Sequence, residues 1–215
     1  MKIFLLLSLL SLSFCKSNEA QVVSQNVEFK EPIKMKVEEG KEVATFAGGC
    51  FWCTEAVFLE LKGVEKVVSG YTGGTTKNPS YREIGTGTTG HAEAIEITYD
   101  PKLVQFKDLL EIFFSSHNPT TLNRQGADVG TQYRSEIFYH SEEQKKQADD
   151  YIALIEKEKL YDNPIVTVVS PAVVFYVAEE YHQNYYNENS SQGYCQMVIA
   201  PKLEKLRKYY KSKLK

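Results

Sequence analysis

Over most of the chain, apolar residues recur at spacings that predict alternating strands and helices. Residues 43–47 form an apolar run typical of a buried strand, and a pair of glycines interrupts it. Apolar side chains at three- and four-residue spacing then predict a helix over residues 50–61. Residues 64–69 have the composition of a strand, and residues 92–99 alternate as expected of a strand with one buried face.

The second half of the chain continues this alternation around two long loops. Helices are predicted at residues 103–116, at 141–159 with Ser141 as the cap, and from 202 onward, and strands at 135–139, 165–169 and 173–177. The loops cover residues 70–90 and 118–130. Loops of this length inside a compact domain usually carry function.

The order of these elements is best described as β-α-β-β-α-β, which predicts a single α+β domain. We expect a two-layer α/β sandwich with a mixed, largely antiparallel sheet and a ferredoxin-like core. This catalytic domain is predicted to occupy residues 42–211.

The N-terminal segment differs in composition and is predicted to lie outside the domain. Met1-Lys2 is a basic start, and the apolar run over residues 3–14 is shorter than the roughly 20 residues of a membrane span. Both features are typical of a secretory signal peptide, which would occupy residues 1–15. The polar residues 16–41 then form a tether.

The apolar run ends at Cys15, and this end resembles the cleavage box of a bacterial lipoprotein. Phe14 departs from the small residue that usually precedes the lipidated cysteine, so a plain signal peptide is the alternative. We therefore expect an exported protein that is periplasmic or lipid-anchored to a bacterial membrane through Cys15.

Composition narrows the class of protein further. Hydrophobic residues make up 42% of the chain and charged residues 25%, which is ordinary for a soluble globular domain. The formal net charge is −3, so there is no basic excess for binding nucleic acid. The four cysteines are too few for a disulfide scaffold, which turns attention to cysteine chemistry. We expect a monomer.

The chemistry is predicted to centre on Cys50, which lies where a strand ends and a helix begins. Free backbone N–H groups and the helix dipole favour an anion there, so we expect an activated thiolate. The neighbouring Phe51 and Trp52 would form an apolar wall, which suits a substrate with an uncharged, methyl-bearing group. The alternative is a buried, inert cysteine in a well-packed helix start.

Cys53 completes a Cys-x-x-Cys pair with Cys50, a spacing that permits a disulfide. Alone, this pair is typical of a thioredoxin-like redox motif. A structural zinc site would need four ligands at paired spacing, and the remaining Cys195 stands alone. We therefore expect neither a metal nor a cofactor.

Glu93 is the candidate acid. It shares the parity of Ile95 and Ile97 on the predicted strand, whereas Glu96 faces away. A carboxyl on that buried face should have a raised pKa and could act as an acid near neutrality. The alternative is a glutamate that reaches solvent at the strand end. By itself Asp128, in a glycine-flanked loop, is weaker evidence, because aspartate there is most often a turn former.

Five motifs occur in one order and together resemble the A-type peptide methionine sulfoxide reductases. They are Gly49-Cys50-Phe51-Trp52, Gly70-Tyr71-Thr72-Gly73-Gly74, Asn78-Pro79-Ser80-Tyr81-Arg82-Glu83, Gly90-His91-Ala92-Glu93-Ala94 and Gly130-Thr131-Gln132-Tyr133-Arg134. The resemblance extends from about residue 42 to residue 201. It implies reduction of the S epimer of methionine sulfoxide, free or in proteins, and repair of oxidised proteins.

The resemblance also implies roles for single residues. Cys50 would attack the sulfoxide sulfur, and Glu93 would protonate the oxygen. Tyr81 and Tyr133 would assist Glu93, and Asp128 would help to order the pocket. In the same way, Phe51 and Trp52 would receive the substrate methyl group.

The reaction would leave Cys50 as a sulfenic acid, which a second thiol must convert to a disulfide. Cys195 matches the position where many relatives carry a resolving cysteine in a flexible tail, and Cys53 is the nearer alternative. A relay through both would also serve, and a thioredoxin-like reductant would then restore the thiols. The alternative function is a general thiol–disulfide oxidoreductase that uses Cys50 and Cys53.

Overall fold

The computed structural model of the chain describes residues 38–215. The predicted signal peptide with Cys15, and the predicted tether up to residue 37, lie outside the described residues. Within residues 38–215, no helix combines the length and the apolar composition needed to cross a bilayer.

Strands and helices alternate through the described residues. The strands are β1 Glu42–Gly48, β2 Val64–Thr72, β3 Ala92–Tyr99, β4 Arg124–Gln125, β5 Asp128–Val129, β6 Ser135–Tyr139, β7 Val168–Pro171 and β8 Tyr176–Val177. The α-helices are α1 Phe51–Leu59, α2 Tyr81–Ile84, α3 Phe106–Ser116, α4 Glu142–Lys157, α5 Tyr185–Glu188 and α6 Ala200–Tyr209. Short 3-10 turns span Thr131–Tyr133, Glu180–His182 and Lys211–Lys213, and a π-helical turn spans Cys195–Ile199.

Six of the strands form one sheet in the order β7-β6-β1-β3-β2-β8. All neighbours in this sheet are antiparallel except β6 and β7, which are parallel. The elements β1-α1-β2-β3-α3-β6 place their strands in the order β6-β1-β3-β2, which is the ferredoxin-like arrangement. The predicted α+β sandwich with a mixed, largely antiparallel sheet is therefore confirmed.

Helices α1 and α3 cover one face of the sheet and build the main core with it. Phe46 of β1 is fully buried, and its ring lies 4.8 Å from that of Phe113, 5.6 Å from that of Phe58 and 5.8 Å from that of Phe106. These close aromatic contacts join the central strand to both helices.

The other face of the sheet is covered as well, which the alternation did not reveal. Phe175 packs there in a second cluster with Val68, Ala94 and Phe138. Glu96 faces this side, as predicted, yet it is also buried. Strand β2 continues beyond its predicted end, because Gly70, Tyr71 and Thr72 pair with β3, and Gly70 and Tyr71 also pair with β8. The strand predicted at residues 173–177 is reduced to this two-residue β8.

The topology brings the candidate residues to one end of the sheet. Strands β1 and β2 finish where β3 and β6 begin, because β3 is antiparallel to both of the former and β6 is antiparallel to β1. Cys50 follows β1, and Tyr81 follows β2 after a loop. Glu93 lies at the start of β3, while Asp128 and Tyr133 precede β6. Residues from four parts of the chain are thus gathered at one edge.

Candidate active site

Cys50 is the N-cap residue of α1, at the predicted junction of strand and helix. The preceding Gly49 has φ +91°, and a Cβ atom there would lie 2.6 Å from the side chain of Gln125. Glycine is therefore required both by the left-handed backbone and by the close approach of the loop. This geometry turns the chain sharply and leaves Cys50 8% exposed at the start of the helix.

Glu93 is buried on the helix-covered face of β3, where the strand pattern predicted it. Its carboxyl oxygen Oε2 accepts a hydrogen bond of 3.1 Å from the backbone N–H of Phe51. Burial raises the pKa of Glu93 to about 8, even though this hydrogen bond lowers it. The carboxyl is therefore mainly protonated at pH 7, and the alternative of a solvent-exposed glutamate is wrong.

The predicted Cys50 thiolate is not favoured in the free chain. Burial raises the pKa of the Cys50 thiol, and a hydrogen bond to Cys53 and the charge of Glu93 raise it further. The helix N-terminus does not prevent this, because its first N–H, from Phe51, is bonded to Glu93. The helix end therefore acts on the acid, and Cys50 remains a thiol.

Cys53 lies beside Cys50 and behaves differently. The hydrogen bond from Cys50 lowers the pKa of Cys53 to about 7, despite burial, and the charge of Lys202 contributes in the same direction. The hydrogen bond between the two thiols thus favours the thiolate of Cys53, which is the form that attacks a sulfenic acid.

The predicted aromatic wall is present beside Cys50. Phe51 is fully buried, and its ring stacks against Tyr81 at 6.4 Å with an interplanar angle of 15°. The partly buried Trp52 stacks face to face on Tyr185, with 3.7 Å between the ring centroids. These contacts hold both rings in place before any substrate binds.

Tyr81 and Tyr133 are hydroxyl donors near the acid. Burial raises the pKa of Tyr81 to about 12, and the negative charge of Glu93 adds to the effect. Burial raises the pKa of Tyr133 as well, again with a contribution from Glu93. Both phenols therefore stay protonated at neutral pH and can donate to an oxygen atom.

Asp128 lies in β5, the second strand of a small hairpin with β4. Together with Cys50, Cys53 and Lys202 it lines a cavity of about 270 Å³. Its Oδ2 atom accepts a hydrogen bond of 2.8 Å from the hydroxyl of Tyr194. Asp128 therefore lies in one cavity with Cys50, and a residue of the C-terminal segment is its hydrogen-bond donor in this structure.

His182, the last residue of the 3-10 turn Glu180–His182, contacts the site directly. The indole N–H of Trp52 donates to Nδ1 of His182 over 3.1 Å. The proton of this imidazole is therefore on Nε2, since burial lowers the pKa of His182 and keeps the ring neutral. Its buried Nε2 has no hydrogen-bond partner within residues 38–215 and lies 3.8 Å from Oε2 of Glu179.

Glu179 and Glu55, for which the sequence predicted no role, position neighbouring residues of the site. Glu179 accepts the backbone N–H of Tyr81 over 2.9 Å and the Tyr71 hydroxyl over 2.8 Å. Glu55 is buried in α1 and accepts the backbone N–H of Tyr185 over 3.2 Å, which holds the partner of Trp52. Only Glu55 was marked in the sequence, because a glutamate within an otherwise apolar helix is rarely buried without a partner.

Cys195 does not lie in a free tail in this structure. It is fully buried within the main core, at the first position of the π-helical turn that leads into α6. Burial raises the pKa of its thiol, and the charge of Cys53 adds to this, so the two sulfurs share one region. The three cysteines of residues 38–215 are all free thiols.

The fold and the site together define a class of protein. A ferredoxin-like α+β domain presents a buried pair of thiols next to a protonated carboxyl, an aromatic wall and phenolic donors. This combination is that of a thiol-dependent oxidoreductase with a general acid.

The family follows from comparison with known proteins. A sequence model described as peptide methionine sulfoxide reductase matches residues 42–214. A peptide methionine sulfoxide reductase MsrA of Deinococcus radiodurans is 57% identical over 175 residues, covering 81% of this chain and 85% of the relative. MsrA 1 of Rhodopirellula baltica is 54% identical over 185 residues, covering 86% and 95%.

Solved structures agree with the sequence relatives. Reduced Mxr1 from Saccharomyces cerevisiae matches with a TM-score of 0.71 and 34% identity, covering 77% of this chain and 96% of the other. Methionine sulfoxide reductase A of Corynebacterium diphtheriae matches with a TM-score of 0.65 and 35% identity, covering 74% and 80%. The chain therefore belongs to the peptide methionine sulfoxide reductase family, in the MsrA class, as its motifs predicted.

The raised pKa of Glu93 has a measurable effect on stability. Between pH 4.5 and pH 8 the folded chain retains a proton at Glu93 that the unfolded chain releases. We expect the free energy of unfolding of the wild type to fall, relative to Glu93→Gln, as the pH rises through this window. Urea unfolding of both proteins at a series of pH values measures this difference, and parallel curves would contradict it.

Proposed function

We propose that this chain reduces the S epimer of methionine sulfoxide, free or in proteins, with Cys50 as the nucleophile. Membership of the family makes the protein an oxidoreductase that acts on methionine sulfoxide. The assignment of residues is supported by Glu93, which is buried and protonated. It accepts a hydrogen bond from the backbone N–H of Phe51, the residue that follows Cys50.

A protonated carboxyl distinguishes sulfoxide reduction from simple disulfide exchange. The sulfoxide oxygen must receive a proton before its bond to the substrate sulfur breaks, whereas disulfide exchange needs no acid of this kind. Tyr81 and Tyr133 add donors for the same oxygen, and Phe51 and Trp52 suit the methyl group on the sulfur. The general thiol–disulfide oxidoreductase leaves all of these residues without a role.

The first step balances with the groups present. The Cys50 sulfur attacks the substrate sulfur while Glu93 protonates the oxygen, and the resulting carboxylate takes up the Cys50 thiol proton. The substrate sulfur–oxygen bond breaks and the hydroxyl passes to the Cys50 sulfur. The bond that the attack formed between the two sulfurs breaks as well, and its electron pair leaves with methionine. Cys50 becomes a sulfenic acid and Glu93 is again protonated. This coupling explains why both groups can be protonated in the free chain.

Cys53 resolves the sulfenic acid in this proposal. Its thiol is hydrogen-bonded to Cys50 and has the lower pKa, about 7, so its thiolate is available to attack. A Cys50–Cys53 disulfide forms and water leaves. Cys195 then attacks this disulfide, and the new disulfide that contains Cys195 is the one that the reductant reduces.

A thioredoxin-like dithiol is the proposed reductant that restores the cysteines by exchange. Mxr1 from Saccharomyces cerevisiae, whose structure was solved in complex with Trx2, matches this chain with a TM-score of 0.51 and 26% identity. The reductant would receive the disulfide and release the thiols of the reductase, so two electrons pass from donor to sulfoxide in each cycle. We also propose that the catalytic domain acts as a monomer.

Export through residues 1–15 and anchoring through Cys15 belong to the same proposal, supported by the apolar run before that cysteine. Expressed in a bacterial host, the full-length chain is expected to incorporate radioactive palmitate and to fractionate with membranes. Cys15→Ser is expected to lose the label. Label in the variant, or unprocessed protein in the cytoplasmic fraction, would overturn this part.

The reaction is tested by offering each purified epimer of a dabsylated methionine sulfoxide separately, with dithiothreitol as reductant. We expect turnover of the S epimer alone. Loss of the acid in Glu93→Gln should lower kcat by about 10²–10⁴-fold, and Cys50→Ser should abolish product.

The conservative Glu93→Asp variant, which retains a carboxyl, separates loss of the acid from loss of packing. It should keep more activity than Glu93→Gln. Reduction of an insulin disulfide without turnover of either epimer would instead support the general thiol–disulfide oxidoreductase.

The order of the thiol steps is tested by a single turnover without reductant, followed by mass spectrometry. Cys195→Ser should release one methionine and hold a Cys50–Cys53 disulfide. Cys53→Ser should accumulate a Cys50 sulfenic acid that dimedone traps, since the thiol that resolves it in this proposal is missing. A rapid Cys50–Cys195 disulfide in Cys53→Ser would show that Cys195 resolves directly.

A further inference from the structure

Tyr194 lines the same cavity as the two site cysteines. Its ring meets Trp52 edge to face, with 5.9 Å between centroids and an angle of 77°. Its hydroxyl donates to Oδ2 of Asp128 over 2.8 Å, and the same oxygen is 3.7 Å from Sγ of Cys53. A residue from the C-terminal segment therefore touches the aromatic wall, the carboxylate and the thiol pair at once.

The residue that follows, Cys195, is fully buried. Thiol–disulfide exchange requires an in-line approach of one sulfur to another and access for the reductant. Cys195 can therefore take part only after the segment that carries it moves. Because Tyr194 is its immediate neighbour, the contacts of Tyr194 are among those that such a movement must break.

The backbone around these two residues is suited to movement. Residues 190–193 are exposed, and nothing lies within 4 Å of the Cβ position of Gly193. Beyond Tyr194, residues Cys195–Ile199 form a π-helical turn, a rare geometry that appears mostly as single turns at functional sites. The segment is thus bounded by an open glycine on one side and an irregular helix on the other.

Asp128 is the point at which substrate and Tyr194 compete. Its carboxylate faces the cavity that Cys50 lines, and Tyr194 is its hydrogen-bond donor in the unliganded chain. The sulfoxide group itself has no hydrogen to donate, so the competing donor is the backbone N–H of the sulfoxide-bearing residue, which takes the place of the Tyr194 hydroxyl on Asp128. A ligand that binds only one of two arrangements shifts the population towards it.

We propose that Tyr194 is a positioning residue that couples occupation of the Cys50 cavity to the release of Cys195. With the cavity empty, the hydrogen bond to Asp128 and the contact with Trp52 hold the segment down and keep Cys195 buried. A bound sulfoxide breaks that hydrogen bond, and the segment lifts and exposes Cys195. This rests on the proposed function, because it takes Asp128 as part of the substrate site.

The test measures the rate at which iodoacetamide alkylates Cys195, using the full-length chain and peptide mass spectrometry to identify the modified cysteine. A Cys50→Ser background prevents turnover, so the S epimer of methionine sulfoxide can be bound without reaction. We expect saturating sulfoxide to accelerate alkylation of Cys195 by about tenfold or more, as for loss of a hydrogen bond to a charged group.

Tyr194→Phe in the same background removes the hydroxyl and keeps the ring. Its Cys195 should be alkylated about tenfold faster than the parent without sulfoxide, and sulfoxide should add little. Tyr209→Phe, an exposed tyrosine on the same C-terminal helical segment, is the matched control and should behave as the parent. Equal rates in Tyr194→Phe and the parent would overturn the coupling.

Steady-state kinetics with Cys50 intact separate the proposed coupling from a general loss of stability, because only the coupling predicts a lower KM. Without the competing hydroxyl, Tyr194→Phe should show a lower KM for the sulfoxide, with a smaller change in kcat. A raised KM together with a lowered kcat would indicate a structural role and would contradict the proposal.

The two proposals fail in different ways. Should the proposed function be wrong, the wild type will release no methionine from either epimer. Should only the coupling be wrong, the wild type will turn over the S epimer while Cys195 alkylation ignores both sulfoxide and Tyr194→Phe.

Discussion

The hydrogen bond from the Phe51 N–H to the Glu93 carboxyl is the interaction on which the site depends. It joins the first residue of a helix to a central strand, and it uses the helix N-terminus on the acid. Burial raises the pKa of both the carboxyl and the thiol, and the charge of Glu93 raises the pKa of Cys50 further. In the free site the Glu93 carboxyl and the Cys50 thiol are therefore both protonated. In the proposed reaction the substrate oxygen takes the proton of Glu93, and the carboxylate then accepts the proton of Cys50.

The other residues of the site come from two different parts of the structure. Cys50 and Phe51 are placed by the sheet and α1, which form the rigid core. The groups that hold Trp52 and Tyr81 come from the chain after β8: His182 accepts the indole N–H of Trp52, and Glu179 accepts the backbone N–H of Tyr81. That late segment also supplies Tyr194, which lines the cavity and donates to Asp128. The acid and the wall are thus positioned by the core, whereas Tyr194 belongs to the segment for which we propose a movement.

The sequence predicted several elements closely where the signal is local. Strands β3 and β6 begin and end as expected, and Ser141 caps α4 by accepting the N–H of Gln144. The extension of β2 over Gly70–Thr72 was missed because it depends on pairing with β3 and with β8, and β8 lies about a hundred residues away. Such pairing overrides the local preference of glycine against strands.

The chain alone determined the family, the identity of the nucleophile candidate and the face on which Glu93 lies, because motifs and period-two alternation are written in neighbouring residues. Only the tertiary structure decided the charge states. The helix N-terminus of Cys50 predicts a thiolate, but burial and a carboxyl 43 positions away reverse that outcome. It also decided that His182 orients Trp52 and that Cys195 is buried rather than in a free tail. A pKa and a hydrogen-bond network depend on which distant groups are buried together away from water, and that is a property of the folded chain.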